Sequence, residues 1–575
     1  MHLRCVRLPQ RLAARNADSL DRTRTGATLA VSAALACLCA ALCLASPSVR
    51  AADDETASPD MPASPHATHA LAASAASGAS GASATAAASS PGPASATLPV
   101  PAETSKVTEH TLSIGGHRLA YRATAGTLLL RDARGEPDAS VFYVAYTARG
   151  GNGAHRPLTF LFNGGPGASS VFLLIGSLGP KRVHTQSPAP TPAAPYTLAD
   201  NPDSLLDTSD LVFIDAVGTG FSRPVGHGSG KQFYSVDGDL DAFVRFIDRY
   251  LSVNQRWNSP KFLLGESYGA TRAAMLAYRL SQHQIALNGV VLLSSVLNAN
   301  VHAPGYDLAS VRYLPSYAAV AWYHGKVRDA GTADLPAFLE EVRAFAAGPY
   351  ATALAKGDAL PDSERDAVAA KIAHYTGLDE QYVIAAHLRI RPSRFRQALL
   401  RDEARSVGRY DGRFTGIEED STSDSPDFDP SEKYIASAFD AAFHEHLARD
   451  LGYQSPLAYR VFNGAVLTAW NSKHRMWWGE TLEVPYAAGD LAEAMRQDPE
   501  LRVLSANGYF DLATPFFSTE YDLAHLGLAP ALRSHVEITH YASGHMIYLD
   551  DAALHELKRD LARFYDAAIK HTNTH

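Results

Sequence analysis

Five residues, Gly265-Glu266-Ser267-Tyr268-Gly269, constrain this chain more than any other feature. A short apolar run from Lys261 to Leu264 precedes them, and a helical pattern from Tyr268 to Leu280 follows. Glycine, any residue, serine, any residue, glycine between a strand and a helix marks a turn too tight for side chains at the flanking positions. The turn forces the serine into a strained backbone shape, and its hydroxyl stands clear of the sheet at the start of the helix. So short a pattern recurs by chance, and an ordinary strand-to-helix turn is the plain alternative. The strand before and the helix after are what give it weight.

The neighbouring sequence repeats this rhythm. Leu158 to Phe162 runs into Asn163-Gly-Gly-Pro-Gly, Leu211 to Ile214 runs into Asp215-Ala-Val-Gly-Thr-Gly, and Val290 to Leu293 follows the serine turn. Between them, Leu240, Phe243, Val244, Ile247 and Leu251 fall on one helical face. Strands alternating with helices predict a mostly parallel sheet, with its ligand site at the carboxyl ends of the strands. Residues 107 to 150 alternate apolar and polar, which predicts antiparallel strands ahead of it. From about Asn300 to Gly479 amphipathic helical stretches dominate, such as Leu335 to Phe345 and Tyr434 to Leu451. The strand rhythm returns at Leu501 to Ala506 and Val536 to Thr539, so the middle reads as a helical insertion capping the sheet.

A serine hydroxyl needs a base to take its proton, and the base needs an orienting carboxylate. Behind a turn of this kind the chain order is serine, acid, histidine. Among 23 histidines, His545 stands out in Ser543-Gly544-His545, a loop after a strand near the C-terminus. His525, His535 and His540 are its rivals as ordinary surface or core residues. Asp511 follows the strand Leu501 to Ala506 and lies 34 residues before His545 (545 minus 511). Asp522 and the pair Asp550-Asp551 compete for that role, the pair reading as a solvated cap of the last helix. The glycine-rich loop Asn163 to Gly167 lets backbone amides approach a substrate and bind developing negative charge, with the Tyr268 amide as a second donor. A purely structural turn is the alternative for that loop.

The rest of the composition narrows the class. A net charge of -9 on 575 residues gives no basic footprint for nucleic acid. Arginines in residues 1 to 25, an uncharged alanine-rich stretch from Ala27 to Ala45 and the small-x-small triplet Val49-Arg50-Ala51 lay out a secretory signal peptide over residues 1–51. The alternative is an uncleaved anchor, since the stretch is long enough to span a bilayer. No leucine stands three residues before Cys37, Cys39 or Cys43, which argues against a lipid-anchored cysteine. Residues 52–105, rich in alanine, serine and proline, read as a disordered linker. The expected product is exported, periplasmic or secreted, with no membrane contact after cleavage. All four cysteines lie in the leader, so the mature chain would hold no disulfide, zinc-thiolate site or cysteine nucleophile. Without a His-Glu-x-x-His pattern, and with a Gly218-x-Gly lacking a phosphate-loop lysine, neither a metal nor a cofactor is expected.

Taken together, Asn163-Gly-Gly-Pro-Gly-Ala-Ser-Ser, Gly218-Thr-Gly-Phe-Ser, Gly265-Glu-Ser-Tyr-Gly and Gly544-His-Met resemble the serine carboxypeptidases, in that family's order and rough spacing over about residues 110 to 565. The resemblance implies an α/β-hydrolase fold, a mostly parallel central sheet with a largely helical cap. Residues 106–299 and 480–575 would form the catalytic domain and 300–479 the cap. It implies an enzyme that releases C-terminal residues from peptides with a free C-terminus through an acyl-enzyme. Ser267 would be nucleophile, His545 base and Asp511 its partner. The Gly165 and Tyr268 amides would form the oxyanion hole, and Asn163 and Glu266 would bind the substrate carboxylate. A glutamate facing a carboxylate repels it unless one proton is shared, so binding is expected to favour acid pH. Leu161, Ala168, Ala216 and Ile547-Tyr548 depart from common family residues. An esterase or acyltransferase with the same triad is the second reading, and a catalytically dead binding protein the third.

Overall fold

The computed structural model describes residues 97–150, 153–302, 305–327 and 334–570. The expected signal peptide and most of the expected linker lie outside these residues. Nine strands run through the main sheet: β1 (Ser105–Ile114), β2 (His117–Arg131), β3 (Pro137–Ala148), β4 (Leu158–Phe162), β5 (Asp210–Ile214), β6 (Lys261–Glu266), β7 (Gly289–Leu293), β8 (Arg502–Gly508) and β9 (Val536–Tyr541). Their order across it is β1-β2-β3-β5-β4-β6-β7-β8-β9, with the short pair Arg223–Pro224 on β3. The first three strands and the β3–β5 pairing are antiparallel. All pairings from β5 to β9 are parallel. The chain therefore has the α/β-hydrolase architecture, a mostly parallel sheet whose carboxyl ends gather the loops after β4, β5, β6, β8 and β9.

The parallel strands are apolar on both faces because helices cover both. Phe160, Phe162, Leu263, Val290, Leu292 and Val503 point to one side, into a core shared with helices α1 (Val236–Val253), α2 (Tyr268–Gln282) and Ala487–Gln497. Leu161, Phe262, Leu264, Val291, Leu293 and Leu504 point to the other, against Val171–Gly176, Pro430–Glu445 and the C-terminal helix Asp551–Lys570. Each such side chain taken from water contributes about 1.5–3 kcal/mol. This two-sided burial fixes the strand register, since a slip of one residue would exchange the two faces.

The stretch expected as one helical cap, 300–479, divides by where its side chains pack. Helices Leu308–Tyr323, Leu335–Phe345 and Asp362–Thr376 form a third core of their own. Helix Pro430–Glu445 instead buries Phe439 and Phe443 in the core beneath the sheet. Its apolar residues recur at helical spacing, and that pattern says nothing about which surface they meet. The third core also takes in Phe510 and Leu512, which flank Asp511 in the loop after β8, and Phe516 at the start of the next helix. Among the described residues no helix is long and apolar enough to cross a membrane.

The segment leading out of the insertion is tied down by a buried histidine. His474 lies between Asp237 of α1, 2.8 Å from Nδ1, and Asp490, 2.6 Å from Nε2. Asp237 also accepts from the Arg475 amide and faces Arg279. Burial disfavours a charged ring, but the two carboxylates outweigh it and push the His474 pKa up to about 9. The folded state thus holds a proton that the unfolded chain, near 6.5, releases earlier. The stabilisation is complete below pH about 6.5 and is lost as pH rises through about 9. Thermal unfolding should show a Tm falling between these limits by a few degrees, and His474→Gln should flatten that part of the curve.

Candidate active site

Ser267 closes β6 and caps α2 with φ 61° and ψ −129°, a backbone shape rarely adopted by a residue with a side chain. The reason lies in its neighbours. A Cβ on Gly265 would stand 2.0 Å from the Gly269 carbonyl oxygen, and one on Gly269 would stand 2.5 Å from that of Phe162. Only glycines let strand and helix approach this closely. Tyr268 is the first helical residue, so its amide has no partner within the helix. The Asn163–Gly167 loop lies directly against it, with Gly164 so close that an added Cβ would sit 2.4 Å from the Tyr268 nitrogen. Arg272 joins loop and helix from below. Its Nη1 donates to the Asn163 carbonyl at 2.9 Å and its Nε to buried Asp239 at 2.6 Å. Among the described residues the Gly165 amide makes no main-chain hydrogen bond, which leaves it available beside that of Tyr268.

Asp511 and His545 arrive from the next strands. The Ser267 amide donates to the carbonyl of Leu293. The adjacent Ser294 donates through its hydroxyl to the His545 carbonyl at 2.7 Å. Two strands therefore carry the histidine loop to the serine turn. His545 Nδ1 meets Asp511 Oδ2 at 2.7 Å, with both side chains buried. Asp511 also accepts from the amides of Ala513 at 2.7 Å and Thr514 at 2.9 Å, and from the Thr514 hydroxyl at 2.5 Å. Four donors hold this carboxylate in one orientation and compensate its burial. The same hydroxyl lies 3.0 Å from His545 Nδ1. Burial works against charge on His545, yet Asp511, and after it Glu266, raise its pKa above the ordinary histidine value. Its other nitrogen, Nε2, is buried without a hydrogen-bond partner. It makes no hydrogen bond to Ser267, a contact that is often long until substrate is seated.

The rivals Asp522, His540, His525 and Asp550 have other partners. Asp522 pairs with buried Arg312 at 2.8 Å. His540 faces Glu520 at 2.6 Å, and His525 stacks on Tyr521. Asp550 does cap the last helix, accepting from the Ala553 amide at 3.1 Å, but it is not merely solvated, because Arg413 reaches it at 3.1 Å.

Glu266, next to the serine, is buried beside Asn163 and Tyr548. Burial pushes its pKa up to about 7, with the charge of Asp511 adding to the rise. A charged His545, the Tyr548 hydroxyl and Asn163 pull the other way. Among the described residues, the buried Oε2 of Glu266 and the Tyr548 hydroxyl have polar neighbours only in each other and in Asn163. The Asn163 side-chain oxygen is committed to the Leu173 amide at 3.0 Å, which leaves its amide group for other contacts.

Thr514 and Tyr548 were not among the residues singled out by chemistry. A signal for Thr514 exists, since an aspartate followed three residues later by threonine suits a turn in which the carboxylate caps the next amides. Nothing in the sequence alone links Tyr548 to Glu266.

Residues 120–390 match the family described as serine carboxypeptidase. A serine carboxypeptidase-like protein of Arabidopsis thaliana, number 36, is 30% identical over 167 residues, 28% of this chain and 32% of that protein. The pheromone-processing carboxypeptidase KEX1 of Saccharomyces cerevisiae is 31% identical over 171 residues, 28% of this chain and 22% of that protein. The matched stretch thus spans about a third or less of these relatives' own length. The crystal structure of the prohormone-processing carboxypeptidase KEX1(delta)p of the same yeast superposes with a TM-score of 0.47 at 16% identity, covering 77% of this chain and 91% of that one. A proline iminopeptidase of Mycobacterium smegmatis gives 0.33 at 12% identity, covering 77% and 99%. The family match runs from strand β2 through the serine turn into the helical insertion, and over that stretch the chain is similar to the serine carboxypeptidase family.

Proposed function

We propose that this protein is a serine-type carboxypeptidase that releases single residues from peptides bearing a free C-terminal carboxylate. The observation that carries the reading is the buried Glu266 carboxyl, beside Asn163 and next to the serine, with a pKa near 7. Such a group is poorly suited to an ester or a lipid and well suited to sharing a proton with a carboxylate.

In this reading Ser267 attacks the last peptide carbonyl while Nε2 of His545 takes its proton. Asp511 holds the ring by Nδ1 and stabilises the imidazolium. The amides of Gly165 and Tyr268 bind the oxyanion. The histidine passes its proton to the departing amino group, and the released residue leaves with its carboxylate. Water then attacks the acyl-enzyme by the same route. On the leader pattern, the working compartment is the periplasm or the medium.

Acid pH is favoured by two linked effects. Protonated Glu266 donates to the substrate carboxylate, and above pH about 7 its charge repels it, so KM rises. A charged Glu266 also helps raise the His545 pKa, so its protonation lets the base become neutral at lower pH. A blocked dipeptide with a free carboxylate should be cleaved and its amide spared, across roughly pH 4 to 8. Rapid ester hydrolysis with neither dipeptide cleaved would move the protein to the esterase or acyltransferase reading. In Glu266→Gln the rise of KM should vanish and the acid limb of kcat/KM should move to lower pH; profiles superimposable on wild type would refute the role. Ser267→Ala should lower kcat by several orders of magnitude, up to about a million-fold. Thr514→Val removes one hydrogen bond to a charged carboxylate, worth about 1.5–3 kcal/mol, and kcat should drop about 10- to 100-fold with KM little changed.

A further inference from the structure

The segment 409–413 of the insertion touches both loops that bring acid and base to the serine. On the acid side, the Leu512 amide donates to the Arg409 carbonyl at 3.0 Å, and the Gly412 amide to the Phe510 carbonyl at 2.9 Å. These bonds bracket Asp511. On the base side, the His545 amide donates to the Tyr410 carbonyl at 2.6 Å, and the two rings lie 5.2 Å apart. Gly544 has no room for a side chain, because a Cβ there would stand 2.4 Å from that of Asp411.

Arg413 reaches furthest. Its Nη1 donates to the Ala542 carbonyl at 2.9 Å and to Asp550 at 3.1 Å, and its Nη2 to the Ser543 hydroxyl at 3.3 Å. Nη2 also donates to Asp411 at 2.7 Å, and Nε reaches both Asp411 oxygens, at 3.0 and 3.2 Å. The guanidinium lies over the Phe510 ring. Both Arg413 and Asp411 are buried. A planar five-donor group suits this task, since it holds several acceptors at fixed angles where a lysine would hold one point. The carbonyl of His545 is fixed from the opposite side by Ser294.

We propose that Arg413, aligned by Asp411, is a positioning residue for the base: it fixes the 542–545 loop, and so the Nε2 of His545, relative to Ser267. It touches neither substrate nor the imidazole. The proposal rests on the reading of Ser267, Asp511 and His545 as a hydrolytic triad. A shift of the base by about 1 Å can cost about 100-fold in rate.

The test compares Arg413→Gln, Arg413→Lys and Arg343→Gln with wild type on the blocked dipeptide and on p-nitrophenyl acetate. Rates are divided by active sites titrated with a serine-reactive phosphonate. Arg343 is the control, because it pairs with Glu520 at 2.7 Å, another contact from the insertion, which meets β9 at His540 but makes no contact with the 542–545 loop itself. Arg413→Gln should lose about 10- to 100-fold in kcat per titrated site on both substrates, with KM within about two-fold. Arg413→Lys should recover part of it, and Arg343→Gln should lower Tm with kcat per site unchanged. Equal kcat per site in Arg413→Gln and wild type, or an equal loss in Arg343→Gln, overturns the proposal. If Arg413→Gln does not fold, Asp411→Asn decides by the same criterion, because it loosens the guanidinium while keeping the side-chain shape. Ester hydrolysis without peptide cleavage in wild type would refute the carboxypeptidase reading and still leave the positioning of the base measurable.

Discussion

The approach of Gly265 to Gly269 is the contact on which the site is built. Strand β6 and helix α2 meet so closely there that no side chain fits on either residue. Ser267 between them is left with a positive φ. A single strained residue of this kind costs of order 1–3 kcal/mol, and it persists only where surrounding structure over-determines it. Here Phe162 backs Gly269, Leu293 accepts the Ser267 amide, and Arg272 ties the helix to the Asn163 loop. The same closeness sets the Gly164 backbone against the Tyr268 amide, so nucleophile and proposed oxyanion donors are placed by one steric event.

Around this turn lie two carboxyl groups with opposite environments. Asp511 is buried but saturated with donors, two of them amides from its own turn. Glu266 is buried with polar neighbours only in Tyr548 and Asn163 among the described residues, and its pKa is pushed up to about 7. Neighbouring acids in such different surroundings can take different work, one holding a histidine and the other offering a proton. His545 sits between them electrostatically, so the protonation state of one acid is felt by the base that the other orients. This coupling needs no moving part.

Much of this was legible before any coordinates. The serine turn, its strand and its helix stand in the sequence because glycine, apolar run and helical period must all occur together there. Asp511 and His545 could be picked out by chain order and by the loops that follow strands, and the structure brings them within 2.7 Å. What could not be read depends on contacts across long sequence distances. Nothing in the sequence local to Arg413 points to Ala542, Ser543 and Asp550, and the pair Asp550-Asp551 looked like a solvated helix cap. The insertion hid its division for the same reason. The apolar spacing in Pro430–Glu445 specifies a buried face without saying that the sheet, rather than the neighbouring helices, would bury it. Tyr548 was visible only as a departure from a common family residue, and its place beside Glu266 depends on the fold of the last loop.

The separation of Ser267 from His545 along the chain, 278 residues (545 minus 267), has a consequence for biosynthesis. On the proposed triad, a ribosome that has delivered the sheet as far as β7 has made Ser267 but neither its acid nor its base. Both come from β8 and β9 and the loops after them, and their alignment leans on the insertion made in between. On that reading, a nascent or prematurely terminated polypeptide would carry the serine without its base. On the proposed triad, late delivery of the base ties activity to synthesis of the chain through His545.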